Sequence, residues 1–232
     1  MSMPIVIAHR GDSSHALENS LEALRLALSL SVDMVEIDIR KSMDNELYVM
    51  HDKHTGRTSD KNVDIEQSRS DEISRVKLNN GEPIPTLKDV LGLFTGNVGL
   101  NLEIKSEGAG RLAAEHLRDS GYRVPVLISS FLEKEILAVR GVAPFISTSG
   151  IFDTFTAQNL TAYCAKRYSL ISLRKKTVSR ELIIACHDHG LKVYVWTVDD
   201  EADMEKFITW GVDGIYTNKP SLLKEMLHGL QR

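Results

Sequence analysis

Short hydrophobic runs with the alternation of β-strands recur along the chain, separated by stretches of helical periodicity. Eight of these runs predict strands: "PIVIAH", "MVEIDIR", "VGLNLEIK", "VPVLISS", "PFISTSG", "SLISL", "KVYVWTV" and "DGIYTN". Strands that alternate with helices form a parallel sheet covered by helices. Eight such units in 232 residues favour a closed (β/α)₈ TIM barrel, formed by one domain over residues 1–232, over an open sheet.

The helical stretches fall between and after these strands. They include "LENSLEALRLALSL", "GRLAAEHLRDSG", "LEKEILAVRG", "SRELIIACHDHG" and "EADMEKFITWG". Glycine commonly stops a helix in the left-handed conformation before the next strand. We therefore expect helices to end at Gly121, Gly141, Gly190 and Gly211.

One segment departs from the alternation. After "VEIDIR", the residues "MDNE" predict a turn into another short strand, "LYVMH". The residues from there to Leu87 are polar and have little periodicity, which predicts a small insertion or long loop within the second strand–helix unit. Long irregular loops in compact domains are often functional, and loops that follow the strands of this barrel surround its active site.

The run "VEIDIR" places two acids, Glu36 and Asp38, in a strand that is otherwise hydrophobic. Side chains alternate along a strand, so both carboxylates point to one face and the β-branched residues to the other. Two such acids side by side repel each other and lose hydration when they are buried. The pattern recurs in "NLEIK", where Glu103 and Lys105 share a face.

Further polar and aromatic residues lie where predicted strands end. His9 ends "IVIAH" and is followed by Arg10, and His51 closes "LYVMH". In "VYVWTV", Tyr194 and Trp196 share one face. Outward side chains of a (β/α)₈ barrel pack beneath the helices, whereas inward ones near the strand ends reach the pocket. The polar residues fall where strands end, so we expect the acids to face the barrel mouth.

These residue types suit metal-assisted phosphoryl chemistry. Glu36, Asp38 and Glu103 can share a hard divalent cation, which would remove their mutual repulsion. Arg10 and Lys105 suit phosphate oxygens, and two histidines can divide general acid and general base work. An acid pair or one strand-terminal histidine is more often structural, so it is the joint occurrence at successive strand ends that favours function.

Composition argues against several other classes. With 42% hydrophobic residues the chain can bury a large core, and a net charge of -4 without blocks of either sign predicts no nucleic-acid partner. We expect no stable membrane insertion, because no apolar run could span a bilayer and "MSMPIVIAHRGD" has no basic segment or cleavage site. Cys164 and Cys186 lack metal-ligand spacing, which predicts free thiols in a reducing compartment, by default the cytoplasm.

The order of these motifs resembles the glycerophosphodiester phosphodiesterase family. The resemblance rests on "HRG", the E-x-D of "VEIDIR", "HD", the E-x-K of "NLEIK" and "VYVWTV", and it extends from Ile7 to about Pro220. It implies a (β/α)₈ barrel with a small insertion after the second strand, here at about residues 52–85. It also implies a metal-dependent hydrolase that cleaves small-molecule glycerophosphodiesters to sn-glycerol 3-phosphate and an alcohol.

The resemblance further implies a role for each matching residue. One divalent cation, Mg²⁺, Ca²⁺ or Mn²⁺, would be bound by Glu36, Asp38 and Glu103. The acid/base pair would be His9 and His51. The substrate side of the pocket would comprise Arg10 and Lys105 at the phosphate, Trp196 as an apolar wall, and Glu18 orienting His9 or Arg10. The nucleophile, water or the substrate's own glycerol hydroxyl, and the division of work between the histidines stay open.

The sequence leaves two alternatives, of which the second belongs to another class of protein. A phospholipid-cleaving phosphodiesterase on a similar barrel would need membrane contact, and the sequence has neither an exposed aromatic cluster nor a strongly basic face. A non-catalytic barrel that binds phosphodiesters would not need both histidines and all three acids, which are present.

Overall fold

The structure, a computed structural model, describes residues 3–122 and 124–230. Within these residues, eight parallel strands close into a barrel in the order β1-β9-β8-β7-β6-β5-β4-β2, with β2 paired back to β1. The strands are β1 (Ile5–His9), β2 (Met34–Lys41), β3 (Leu47–Val49), β4 (Gly99–Ile104), β5 (Val126–Ser130), β6 (Ser147–Phe152), β7 (Leu170–Arg174), β8 (Lys192–Trp196) and β9 (Gly214–Thr217). Short β3 lies outside the ring, antiparallel to β2. The predicted (β/α)₈ barrel is confirmed.

Helices follow the barrel strands and cover the outside of the ring. They are α1 (Leu21–Ser29), α2 (Ser70–Ile73), α3 (Leu87–Leu93), α4 (Ala109–Asp119), α5 (Glu133–Val142), α6 (Ala157–Ala165), α7 (Arg180–Asp188), α8 (Glu201–Trp210) and α9 (Pro220–Leu230). Short 3₁₀ turns occur at Thr55–Arg57, Ile65–Gln67 and Lys175–Thr177. In the part of the chain that the structure describes, no helix is both long and apolar enough to cross a membrane.

Three of the four expected glycine stops have the left-handed backbone: Gly121, Gly190 and Gly211 have φ values of 65°, 74° and 78°. The expectation for Gly141 is wrong. Helix α5 continues through Gly141 to Val142, and the residue after it, not a glycine, ends the helix. A glycine near a helix end is tolerated inside the last turn, so its presence alone does not locate the stop.

The two faces of β2 divide as the alternation predicts. Val35, Ile37 and Ile39 are fully buried and belong to the main hydrophobic core between the barrel and its helices. Glu36 and Asp38 point to the other face, inside the ring. The core therefore accounts for one face of this strand and leaves the acids to the barrel interior.

The segment between β3 and α3 has a small hydrophobic core of its own. Its members are Tyr48, Met50, Ile65, Ile73, Val76, Leu78 and Ile84. Arg40 on β2 contacts Glu66 of this segment at 2.7 Å, and the same carboxylate oxygen accepts a hydrogen bond from Ser106. These contacts hold the segment beside the carboxyl ends of β2 and β4.

Candidate active site

A cavity of about 150 Å³ opens where the barrel strands end. Its lining comprises His9, Arg10, Glu36, His51, Asn101, Glu103, Lys105, Phe131, Ile151, Ser172, Trp196, Thr197 and Tyr216. Seven of the nine residues singled out from the sequence are among them. The other two lie directly behind the lining, because Asp38 contacts Lys105 and Glu18 contacts Arg10. All nine are therefore brought together at one end of the barrel.

Strand register brings the three acids together. Asp38 on β2 pairs with Glu103 on β4, and Glu36 pairs with Asn101, so the acids project from neighbouring positions of one face. One carboxylate oxygen from each lies within 4.8 Å of the other two. Burial and the charges of Asp38 and Glu103 raise the pKa of Glu36 well above its usual range. The repulsion among the three acids therefore falls on Glu36.

Two cations contact these acids. Lys105 Nζ lies 2.5 Å from Glu103 Oε1 and 3.3 Å from Asp38 Oδ1, and Arg10 Nε lies 3.1 Å from Asp38 Oδ2. Although burial raises the pKa of Asp38, Arg10 and Lys105 outweigh it and lower that pKa to about 2. Asp38 also accepts a hydrogen bond from the Asn19 side chain at 2.8 Å. It is therefore ionised at neutral pH.

The "HRG" sequence forms a sharp turn at the end of β1. Arg10 and Gly11 have φ values of 60° and 84°, and the turn directs the Arg10 backbone N–H to Glu36 Oε2 at 3.0 Å. A Cβ atom on Gly11 would lie 2.6 Å from the backbone carbon of Ala23 in α1. Only glycine combines this φ with so close an approach of a helix.

The acid cluster fits a hard divalent cation. Glu36 Oε1 and Asp38 Oδ1 are buried and accept no hydrogen bond from residues 3–122 and 124–230, although Asp38 Oδ1 has Lys105 as an ion-pair partner. Buried carboxylate oxygens without a partner are costly, and oxygen ligands are those that Mg²⁺, Ca²⁺ and Mn²⁺ prefer. The donor set of Glu36, Asp38 and Glu103 therefore could bind a cation of this class.

His9 is oriented by a residue from the opposite end of the chain. Its Nδ1 lies 2.8 Å from Asn218 Oδ1, and Asn218 Nδ2 donates to Asp199 Oδ2 at 2.7 Å. Because the amide oxygen of Asn218 accepts, His9 carries its proton on Nδ1 and has an unprotonated Nε2. Burial and the charge of Arg10 lower the pKa of His9 to about 4, so the ring is neutral at pH 7.

His51 is oriented by the next residue in the chain. Its Nδ1 lies 2.7 Å from Asp52 Oδ1, and Arg57 Nε donates to Asp52 Oδ2 at 2.5 Å. Burial lowers the pKa of His51 overall, with help from the charges of Arg10 and Lys105, while Asp38 and the hydrogen bond to Asp52 act in the opposite direction. A carboxylate at Nδ1 stabilises the imidazolium form, which is the form that a proton donor needs.

Glu18 binds Arg10, one of the two partners that the sequence left open for it. Arg10 Nη1 donates to Glu18 Oε1 at 2.9 Å, and Arg57 donates to both oxygens of the same carboxylate at 2.9 and 2.7 Å. Although burial raises the pKa of Glu18, the hydrogen bonds and charges of Arg57 and Arg10 lower it overall. Glu18 is therefore an ionised link between the two arginines.

Two aromatic rings form one wall of the cavity. Trp196 packs against Phe131 edge to face, with ring centroids 5.7 Å apart. Lys105 Nζ lies 5.7 Å from the centroid of Phe131 on the cavity side. The wall leaves an apolar surface beside the cationic groups, suited to the carbon atoms of a small alcohol.

Several residues of this arrangement were not singled out from the sequence. They are Asp52, Arg57, Phe131, Asp199 and Asn218. Asp52 directly follows His51, and Asn218 is the last residue of the predicted strand "DGIYTN". A polar residue at a strand end is the signal that could have pointed to both. Arg57 and Asp199 carry no such signal, because they act on the pocket through other side chains.

Clustered acids, adjacent cations and two oriented imidazoles at the carboxyl end of a (β/α)₈ barrel define an enzyme that hydrolyses phosphate esters. Comparison with known proteins makes this more specific. The sequence profile of the Glycerophosphoryl diester phosphodiesterase family matches residues 9–222, and the chain belongs to that family.

A relative from Caldanaerobacter subterraneus, a glycerophosphodiester phosphodiesterase, is 32% identical over 94% of this chain and 96% of its own. A glycerophosphodiester phosphodiesterase structure from Parabacteroides distasonis superposes with a TM-score of 0.87 at 26% identity, covering 99% of this chain and 98% of that one. A phosphodiesterase from Oleispira antarctica, solved with the product sn-glycerol-3-phosphate, gives a TM-score of 0.90 at 24% identity, with 97% of each chain covered. This last likeness is one of fold.

Proposed function

We propose that this protein is a divalent-cation-dependent phosphodiesterase that hydrolyses glycerophosphodiesters to sn-glycerol 3-phosphate and an alcohol. The observation that carries the proposal is the convergence of His9, His51 and the Glu36–Asp38–Glu103 cluster on one cavity. Membership of the family and the 32% identical glycerophosphodiester phosphodiesterase support the same substrate class.

The three acids are the proposed cation site. A divalent cation held by Glu36, Asp38 and Glu103 would supply a Lewis acid for a non-bridging phosphoryl oxygen. The hard oxygen donors and the two buried carboxylate oxygens without hydrogen-bond partners among the described residues support this assignment. Mg²⁺, Ca²⁺ and Mn²⁺ all suit such donors.

Arg10 and Lys105 are the proposed phosphate ligands. Both side chains line the cavity and both are largely buried, with 17% and 13% of their side chains exposed. Each is also paired with Asp38, which holds its head group in place before a substrate arrives. Cations fixed in this way stabilise the charge that grows on the phosphoryl oxygens without reorganising during the reaction.

The hydrogen bonds of the two histidines support a division of the proton transfers. His9 is neutral with Nε2 unprotonated, so this nitrogen accepts a proton from the nucleophile, a water molecule or the glycerol hydroxyl. In its imidazolium form, which the Asp52 carboxylate at Nδ1 stabilises, His51 donates its Nε2 proton to the oxygen of the departing alcohol. Trp196 and Phe131 would contact the carbon atoms of the substrate beside that oxygen.

Cys164 and Cys186 are free thiols, which supports a reducing compartment, and we propose the cytoplasm as the location.

We propose a small soluble diester, rather than a nucleic acid or a lipid bilayer, as the reaction partner. The net charge of -4 argues against a polyanionic surface as that partner.

The purified protein tests this function directly. Release of sn-glycerol 3-phosphate from glycerophosphocholine is measured in excess chelator and after addition of Mg²⁺, Ca²⁺ or Mn²⁺. We expect no turnover in chelator and recovery with at least one of these ions. Cleavage of phosphatidylcholine vesicles but not glycerophosphocholine would favour the phospholipid-cleaving alternative, and binding without turnover would favour the non-catalytic one. Full activity in chelator would contradict the cation site.

A further inference from the structure

We propose that Arg57 is a positioning residue that couples the two sides of the active site, holding His51 through Asp52 and Arg10 through Glu18. The inference rests on the proposed function, but it concerns a side chain that does not line the cavity. Arg57 belongs to the 3₁₀ turn Thr55–Arg57, in the segment between β3 and α3.

The guanidinium of Arg57 makes three hydrogen bonds to two carboxylates. Nε donates to Asp52 Oδ2 at 2.5 Å, while Nη1 and Nη2 donate to Glu18 Oε2 and Oε1 at 2.9 and 2.7 Å. This is the bidentate geometry that a guanidinium provides and a lysine does not. The two carboxylates, Glu18 more than Asp52, raise the pKa of Arg57 further, so the side chain is always charged.

The first arm leads to a proposed acid/base residue. Asp52 uses one oxygen for Arg57 and the other for His51 Nδ1, at 2.7 Å. With Oδ2 fixed by Arg57, the Asp52 carboxylate cannot rotate away from the imidazole without breaking a charge-assisted hydrogen bond. Outer partners of this kind set the tautomer and orientation of the histidine they support.

The second arm leads to a proposed phosphate ligand. Glu18 Oε1 accepts from both Arg57 and Arg10, and Arg10 in turn lies 3.1 Å from Asp38. Arg57 therefore shares the negative charge of Glu18, which leaves Arg10 with more of its positive charge for an incoming phosphate. It also fixes the carboxylate that holds Arg10 Nη1 in place.

The backbone that carries Arg57 is anchored independently of these contacts. Thr55 is fully buried; its Oγ1 donates to the Lys61 carbonyl at 2.6 Å and accepts from the Val63 backbone N–H at 3.0 Å. Thr58, which directly follows Arg57, is buried as well. The Arg57 side chain itself is 48% exposed. Truncating it therefore removes its hydrogen bonds to Asp52 and Glu18 without opening a cavity in the small core of this segment.

A double-mutant cycle separates positioning from general structural damage. Arg57→Ala, His51→Ala and the double variant are compared for kcat and KM on glycerophosphocholine at saturating divalent cation. If Arg57 acts through His51, Arg57→Ala lowers kcat about 10- to 100-fold in the wild-type background but less than about 3-fold in the His51→Ala background. An equal fold-loss in both backgrounds would overturn this arm of the proposal.

A parallel cycle with Glu18→Ala tests the other arm. Arg57→Ala is expected to raise KM about 3- to 10-fold, and this increase should be absent when Glu18 is already alanine. A KM increase of the same size in both backgrounds would overturn the coupling through Glu18. Arg75→Ala is the matched control, because Arg75 is an exposed arginine of the same segment whose ion pair is with Asp71.

Two further measurements keep the proposal testable if Arg57→Ala unfolds or if the substrate is wrong. Arg57→Lys keeps the positive charge but not the planar guanidinium that donates to both carboxylates. Relative to Arg57→Ala, it should restore the urea midpoint of unfolding without restoring kcat, and full recovery of kcat would overturn the positioning role.

Nitrogen-15 spectra of the imidazoles need no substrate. In the wild type His51 should favour the Nδ1–H form, and in Arg57→Lys a mixture is expected, whereas an unchanged spectrum would overturn the proposal. A wild-type enzyme inactive on every glycerophosphodiester would instead refute only the proposed function.

Discussion

His9 Nδ1 lies 2.8 Å from Asn218 Oδ1, although the two residues are 209 positions apart in the chain. Barrel closure explains the contact, because β1 pairs with β9 and Asn218 directly follows β9. Asp199 holds the amide by accepting from its Nδ2 and from the backbone N–H, both at 2.7 Å. The orientation of His9 therefore depends on the last strand of the barrel being in register with the first.

We expect Asn218→Ala to lower kcat about 10- to 100-fold with little change in KM, since the His9 ring would lose its tautomeric preference. Asn218→Asp would place a carboxylate beside Nδ1 and raise the pKa of His9 from its value of about 4. The acidic limb of the kcat profile should then move to higher pH. Steady-state kinetics between pH 4 and 9 measure both effects. Unchanged kcat in Asn218→Ala would contradict the assigned role.

Glu36→Gln should stabilise the metal-free protein at neutral pH. The folded-state pKa of Glu36 is raised by burial and by Asp38 and Glu103, so ionisation of Glu36 removes stability as pH rises above its unfolded value of about 4.5. Glutamine does not ionise, and its amide oxygen can still accept from the Arg10 backbone N–H. The gain should be near zero at pH 4 and should grow as the pH rises above about 4.5.

Urea unfolding in chelator at pH 4, 6 and 8 measures this difference, and Glu46→Gln, on the turn before β3, is the control. Adding Mg²⁺ should stabilise the wild type more than Glu36→Gln, because the variant lacks one carboxylate of the proposed site. A variant that is less stable than the wild type at pH 8 in chelator would show that the acid cluster carries no repulsion.

The fold and the acids of the site could be predicted because each depends on a local pattern. The eight strands follow from period-two alternation, and Glu36 and Asp38 stand out because they interrupt it. Their meeting with Glu103 follows from parallel strands ending at the same rim, which the β2–β4 register bears out. These predictions needed only the spacing of residues within each strand and the parallel arrangement of neighbouring strands.

The contacts that orient the histidines could not be predicted, because they depend on tertiary structure. Asn218 reaches His9 only through barrel closure, and Arg57 reaches both Glu18 and Asp52 only through the path of the irregular segment. Similarly, whether α5 ends at Gly141 depends on how its last turn packs. Periodicity carries no information on contacts of this kind.

Trp196→Ala should raise KM about 5- to 10-fold and change kcat much less, because a wall that contacts the substrate equally before and during the reaction contributes uniform binding. Trp196→Phe keeps an aromatic ring against Phe131 and should retain most of the affinity. Trp210→Ala is the matched control, since Trp210 packs on Phe207 at the end of α8, away from the cavity. Michaelis–Menten kinetics on glycerophosphocholine distinguish these cases. An equal KM in both alanine variants would contradict the role of Trp196 as an apolar wall that contacts the substrate.

His9→Ala and His51→Ala should each lower kcat about 10²- to 10⁴-fold on glycerophosphocholine, the range typical of general acid/base catalysis. Both residues lie at the barrel rim, outside the hydrophobic core, so the metal-free unfolding free energy should fall little. The two variants should differ when the leaving group changes. A nitrophenyl ester departs as a stable anion without needing a proton, so His51→Ala should recover much of its rate on that substrate while His9→Ala should not.

For each variant we compare the ratio of kcat on the nitrophenyl ester to kcat on glycerophosphocholine. This ratio does not depend on the fraction of the protein that is active. His54→Ala is the control, because His54 follows His51 closely in the chain but does not line the active-site cavity. Recovery by His9→Ala instead of His51→Ala would reverse the two roles and place the base beside Asp52. If both variants stay equally impaired on the nitrophenyl ester, neither histidine protonates the leaving group. The Asp52 and Asn218 hydrogen bonds would then serve to hold both rings as phosphate ligands.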